Sequence, residues 1–161
     1  MEIETAYIAS GCFWGTEYFI KKLGIVTKTE VGYMGGNTEN PTYEQICTGT
    51  TGHAEIVKVE FKPGTHNYEK ILIDFFETHD FTQIGGVGPD IGDQYRSEIF
   101  YTTEEQKQVA LKLTKILTDK GYKVSTKITP ASKYWEADLS HQNYYYRVGG
   151  TPYCHVYKKI F

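Results

Sequence analysis

Long apolar runs are missing from this 161-residue chain. No stretch approaches the ~18 consecutive apolar residues of a membrane-spanning helix, and the N-terminus lacks a signal pattern. A cytoplasmic protein with no membrane partner is therefore expected. Charge of one sign is missing too: 17 Lys and Arg stand against 20 Asp and Glu, interspersed, for a formal charge of −3. Nucleic-acid binding needs a basic patch, so the composition argues against it. The 14 tyrosines then belong to core and pocket walls rather than to base-stacking platforms. Repeats, low-complexity tracts and linkers are absent. The length suffices for one domain over residues 1–161, expected as a monomer, that buries on the order of 70% of its unfolded surface. Histidine and cysteine are few, 5 and 3, and show no metal-ligand spacing, so neither a metal nor a bound cofactor is expected. Three cysteines in a reducing compartment point instead to thiol chemistry.

What is present centres on Ser10-Gly11-Cys12-Phe13-Trp14-Gly15. The apolar run 6–9 reads as a strand leading into it. Phe13, Thr16, Ile20 and Leu23 then fall at helical spacing, which starts a helix at or just after Cys12. The sulfur is thus expected at a strand-to-helix junction, beside unpaired amides and the positive end of the helix dipole. Both favour the thiolate, which is the nucleophilic form. Gly11 and Gly15 allow close backbone approach to whatever sits there, and Phe13 and Trp14 offer an apolar wall.

Downstream, 25–33 reads as a strand ending in a glycine-dense turn that exposes Tyr33, and 37–52 is polar and turn-rich. Residues 55–61 alternate as a strand. Asn67 is the expected cap of a helix with Ile71, Leu72, Phe75 and Phe76 on its apolar face. A long glycine-rich loop spans 82–94, a size that usually carries function, and 97–102 is a strand. Thr103 and Gln106 suggest a capping box for a helix that presents Val109, Leu113, Ile116 and Leu117 and stops at Gly121. A strand over 124–129 and an irregular aromatic tail from Tyr134 complete the chain. The order β-α-β-β-α-β-α-β implies an α+β fold: a two-layer α/β sandwich with a mixed sheet and a ferredoxin-like split βαβ core.

Glu55 is the second informative residue. It shares a strand face with Val57, Val59 and Phe61 and so heads an apolar stripe. A carboxyl group there loses hydration, which raises its pKa and equips it to donate a proton near neutral pH. A cysteine hydrolase with His53 or His141 as base, or a peptide-binding module walled by aromatics, fits these residues.

Five segments narrow the choice: Gly11-Cys12-Phe13-Trp14-Gly15, Gly32-Tyr33-Met34-Gly35-Gly36, Thr51-Gly52-His53-Ala54-Glu55, residues 90–97 (DIGDQYRS) and His141-Gln142. In this order, over nearly the whole chain, the sequence resembles the A-type peptide methionine sulfoxide reductases. The resemblance implies reduction of the S epimer of methionine sulfoxide, free or protein-bound, with thioredoxin or another dithiol as reductant. It makes Cys12 the nucleophile and Glu55 the donor of a proton to the sulfoxide oxygen, with Tyr33 and Tyr95 as hydrogen-bond donors to the same atom. Phe13 and Trp14 would hold the substrate methyl group, and Asp90 would help organise the pocket. Attack leaves a sulfenic acid on Cys12, which a second thiol condenses with. The segment Tyr153-Cys154-His155 resembles the tail of members with one C-terminal recycling cysteine, which makes Cys154 the resolving residue and leaves Cys47 structural. Phe81, Gly85-Gly86-Val87 and Asp138 depart from the common family pattern around the loop and tail.

Overall fold

The computed structural model describes residues 3–152 and 155–161. Strand β1 (Glu4–Ser10) runs through Gly11 and Cys12 into helix α1 (Phe13–Ile20), with Cys12 as N-cap. Strand β2 (Val26–Met34), the short helix α2 (Tyr43–Cys47) and strand β3 (Ala54–Phe61) follow. Helix α3 (Thr65–Glu77) leads to a small hairpin of β4 (Gly86–Val87) and β5 (Asp90–Ile91). Then come β6 (Ser97–Tyr101), α4 (Glu104–Asp119), β7 (Lys127–Pro130), β8 (Trp135–Glu136) and α5 (Tyr144–Val148).

The main sheet has the order β7-β6-β1-β3-β2-β8. Its central four strands are antiparallel, and the paths β1-α1-β2 and β3-α3-β6 each straddle one intervening strand. That is the expected split βαβ arrangement, and the parallel pairing of β7 with β6 makes the sheet mixed. Period-2 alternation assigns the faces. Val57, Val59 and Phe61 join Ala6, Ile8, Val31 and Ile99 under the helices, where Phe13, Ile20, Leu72, Phe75, Val109 and Leu113 close the larger core. Ala54 and Ile56 point the other way, into a smaller cluster with Ala9, Met34 and Phe100. Glu55 therefore lies on the helix-covered face, as its strand pattern predicts.

Local chemistry moves several expected boundaries. Helix α3 begins at Thr65 after Gly64, and Asn67 instead donates to the carbonyls of Lys62 and Pro63, closing the turn before the helix. Thr103 does cap α4 by accepting from Gln106 N at 3.1 Å, but Gln106 reaches back to Thr102 N rather than to the cap residue. The last long strand covers 127–130 instead of 124–129. Helix α2 carries no apolar periodicity; the Thr42–Gln45 capping box starts it, and Ile46 is its one buried residue. Phe81 fills a niche of the core, edge-on to Phe76 at 5.5 Å and to Tyr122 at 5.2 Å. The segment from Tyr134 is more regular than its composition suggests. Gln142 continues the edge of β2 beyond its pairing with β8, where its amide accepts from Val31 N at 2.8 Å and donates to Val31 O at 2.9 Å. Buried Glu17 of α1 accepts from Asn143 N at 2.7 Å and so ties the same segment to the first helix.

Candidate active site

Cys12 is buried at the start of α1, with non-helical backbone angles, and its carbonyl accepts from Gly15 N and Thr16 N. The turn before it needs Gly11. Its φ is +87°, and a β-carbon there would stand 2.7 Å from that of Val87, so the β4–β5 hairpin packs directly on the turn. The room at Gly15 is filled in the same way, by the imidazole of His155. Both glycines thus make space for the protein's own side chains.

Glu55 is 1% exposed, and its Oε1 accepts from the main-chain amide of Phe13 at 3.1 Å. The carboxyl group therefore occupies the helix N-terminus that Cys12 caps. Two effects act on it in opposition: burial disfavours its charge, while the amide donor and the helix dipole favour it. Across the β2–β3 ladder Glu55 is paired with Tyr33, which puts both side chains on one face. The turn after β2 does not expose this tyrosine: Tyr33 is 1% exposed, and its hydroxyl has no hydrogen-bond partner among the described residues. Its ionisation is pushed far above the ordinary phenol range, by burial first and by the Glu55 charge second. Tyr95 is held up for the same two reasons, with Cys12 and Asp90 as further negative neighbours. Both phenols are donors at neutral pH. Arg96 fixes the approach of Tyr95: its guanidinium donates to Glu98 at 2.7 Å, to Asp93 at 3.0 Å and to the carbonyl of Gly52 at 3.0 Å. The turn bearing Tyr95 is thereby tied to the segment that enters β3. Asp90 lies on β5, and its charge falls on Tyr95.

An aromatic wall completes the site. Phe13 packs on the Tyr33 ring at 5.7 Å, and Trp14 stacks on Tyr144 at 3.9 Å and on His141 at 5.7 Å. Trp14 Nε1 donates to His141 Nδ1 at 3.2 Å. Burial, working against Asp138, lowers the affinity of that ring for a proton, which keeps Nδ1 an acceptor. The His141-Gln142 motif thus has two jobs: Gln142 docks on the β2 edge and His141 braces Trp14. Tyr43, which the motifs did not single out, stands 4.3 Å from His141 and feels the charge of Glu55. Tyr33, Tyr43 and His141 open on a cavity of about 710 Å³ that Glu44, Glu136 and Asp138 also line. Tyr43 could have been suspected only from its place beside a capping box, since one tyrosine among many carries no spacing signal.

The remaining cysteines differ in placement. Cys47 lies at an exposed position of α2. Partial burial of its sulfur and the charge of Glu55 hold it in the thiol form, against a hydrogen bond with Tyr43. Cys154, the expected resolving residue, lies outside the described residues.

The hydrolase alternative lacks a base at His53, whose two ring nitrogens are committed to one turn. Nδ1 accepts from Gly36 N at 3.0 Å, and Nε2 donates to Thr38 O at 2.7 Å. Among the described residues no group of three or more His, Cys, Asp or Glu could hold a metal ion, and no helix is long and apolar enough to cross a membrane.

The family model described as peptide methionine sulfoxide reductase matches residues 4–160. Peptide methionine sulfoxide reductase MsrA from Methanothermobacter thermautotrophicus is 46% identical over 144 residues, covering 88% of this chain and 85% of that protein. The structure of Mxr1 from Saccharomyces cerevisiae in reduced form superposes with a TM-score of 0.91 at 28% identity, over 98% of this chain and 93% of that one. Methionine sulfoxide reductase A of Corynebacterium diphtheriae gives 0.81 at 33% identity, over 94% and 78%. The chain belongs to the peptide methionine sulfoxide reductase family.

Proposed function

We propose that this chain reduces the S epimer of methionine sulfoxide, free or within oxidised proteins, to methionine. Cys12 is the nucleophile, Glu55 the proton donor, and Tyr33 and Tyr95 donate hydrogen bonds to the sulfoxide oxygen. Phe13 and Trp14 hold the S-methyl group, and Asp90 helps organise the pocket. The observation that carries this reading is the buried Glu55 carboxyl bonded to the amide that follows Cys12.

The chemistry needs that arrangement. As the Cys12 sulfur attacks the substrate sulfur, the sulfoxide oxygen gains negative charge, and neutral donors in a site closed to water lower the barrier. Glu55 gives its proton to that oxygen; the oxygen ends on Cys12 as a sulfenic acid and methionine leaves. Two electrons have then passed from cysteine to substrate. Tyr33 suits the donor role because its buried hydroxyl meets no acceptor among the described residues. Cys154 next attacks the sulfenic sulfur: an S–S bond forms, the S–O bond breaks, and the oxygen departs as water. A dithiol protein of the thioredoxin type returns both sulfurs to thiols by exchange. That cycle suits a reducing compartment, the cytoplasm, and needs one copy of the chain.

The test is consumption of the two separated sulfoxide epimers with a dithiol reductant. Methionine should form from the S epimer alone, and Cys12→Ser should form none. Equal consumption of both epimers, or turnover by Cys12→Ser, would refute the assignment.

A further inference from the structure

We infer that His155 anchors the segment carrying Cys154 on the face of α1 that begins at Cys12, and thereby sets the rate of disulfide closure. The inference rests on the reading of Cys154 as the resolving thiol. His155 is 2% exposed. Its Nε2–H donates to the carbonyl of Ser10 at 2.5 Å and lies 3.2 Å from the Thr16 hydroxyl, which in turn shares a 2.7 Å bond with the Ser10 hydroxyl. One imidazole therefore bridges the end of β1 and the first turn of α1, on both sides of Cys12.

Gly15 makes this possible. A β-carbon at that position would stand 2.2 Å from Nδ1 of His155. Glycine inside a helix costs about 1 kcal/mol relative to alanine, and the backbone at Gly15 does not need positive φ. The residue is explained by the space it leaves. Cys12, Gly15, Thr16 and Phe19 follow i, i+3, i+4 and i+7 and so share one helix face, and the Phe19 ring lies 6.5 Å from His155. A chain held at His155 is thus held at the turn that carries Cys12, and covalent connection puts residue 154 next to that anchor.

The segment is held again further on. Glu77 accepts from the amides of Ile160 at 2.7 Å and Phe161 at 3.1 Å, and its carbonyl accepts from Lys158 N at 2.7 Å. His155 is thus a positioning residue: it ties the C-terminal segment to the turn on which the first step makes the sulfenic acid.

Rapid-quench single turnovers of reduced enzyme with methionine sulfoxide, without reductant, separate the two steps. Methionine reports the first; trapping of the sulfenic acid by dimedone and the Cys12–Cys154 peptide in mass spectra report the second. His155→Ala should form one methionine at the wild-type rate, while disulfide closure slows about ten-fold or more through lost effective concentration. His155→Gln, which keeps a donor, should recover most of that rate. Gly15→Ala should slow closure as His155→Ala does, and the double variant should be no slower than either single one. Unchanged closure in His155→Ala, or an equal fall in both steps, would overturn the inference and leave the proposed reaction standing. A wild-type enzyme that yields no Cys12–Cys154 peptide would instead remove the Cys154 assignment, and the inference with it.

Discussion

The main-chain amide of Phe13 donates to Glu55 across 42 residues of sequence, at 3.1 Å. Through that bond the acid and the Cys12 thiol share one helix N-terminus, although Glu55 lies on β3 and Cys12 follows β1. Two negative charges at one such site repel, so a thiolate on Cys12 and a proton on Glu55 support each other. Glutamine at 55 keeps the acceptor for Phe13 N while removing both proton and charge.

Glu55→Gln should therefore fold normally and lose about 10²–10⁴ in the rate of methionine formation. The same variant should alkylate faster at Cys12 in mildly acidic solution, since the neighbouring negative charge is gone. Iodoacetamide labelling against pH measures this. A profile superimposable on that of the wild type would mean that the two groups titrate independently.

Tyr33→Phe should separate stability from activity. The hydroxyl it removes is buried and meets no partner among the described residues, so the variant should be as stable as wild type or more so, by about 1 kcal/mol. Turnover should fall about ten-fold or more as one donor to the developing oxyanion is lost. Denaturant titration and the epimer assay read the two effects. Lower stability with unchanged turnover would be the opposite of what this hydroxyl's position implies.

Gly11→Ala meets two separate costs, positive φ and contact with Val87. The backbone part is about 1–2 kcal/mol, and overpacking adds about 1–3 kcal/mol. Adding Val87→Ala should relieve only the steric part. Thermal unfolding of the two single variants and the double variant measures the division, and full recovery in the double variant would remove the backbone part.

His79 should give the stability a pH dependence. Burial pushes its pKa down to about 3; Nδ1 donates to Phe75 O at 2.6 Å, and Nε2 is 2.8 Å from Ser97 Oγ. The folded state therefore takes up this proton later than the unfolded chain, whose histidine titrates near the ordinary value of about 6.5. The contribution is fully present above that value and is lost as pH falls toward 3, by about 1.4 kcal/mol per pH unit. Unfolding free energies between pH 6.5 and 5 should have a shallower slope in His79→Gln than in the wild type.

Much of the site is legible from local pattern. The alternation of Glu55 with Val57, Val59 and Phe61 places the acid on the covered face before any contact is known. The helical spacing after Cys12 likewise places the sulfur at a helix start, and α1 begins at Phe13. Other parts leave no local trace. Tyr43 sits on a five-residue helix with one buried side chain, too short for a periodic signal. Gln142 extends the pairing of the β2 edge past β8, and an isolated glutamine does not announce that role. Gly11 and Gly15 signal close approach in the sequence without saying to what. Their partners Val87 and His155 lie 76 and 140 residues away.

The sequence by itself determined which segments bend, alternate or wind, and with them the strand order and the residue types available for chemistry, because those follow from φ/ψ preference and hydrophobic period. Only the tertiary structure decided that Glu55, Tyr33 and Tyr95 converge on one helix N-terminus and that two glycine gaps are filled from within. Desolvation and hydrogen-bond geometry depend on what packs against a group. In this fold the neighbours that matter come from β4, the C-terminal segment and the strand beyond the next one, none of which is adjacent in the chain.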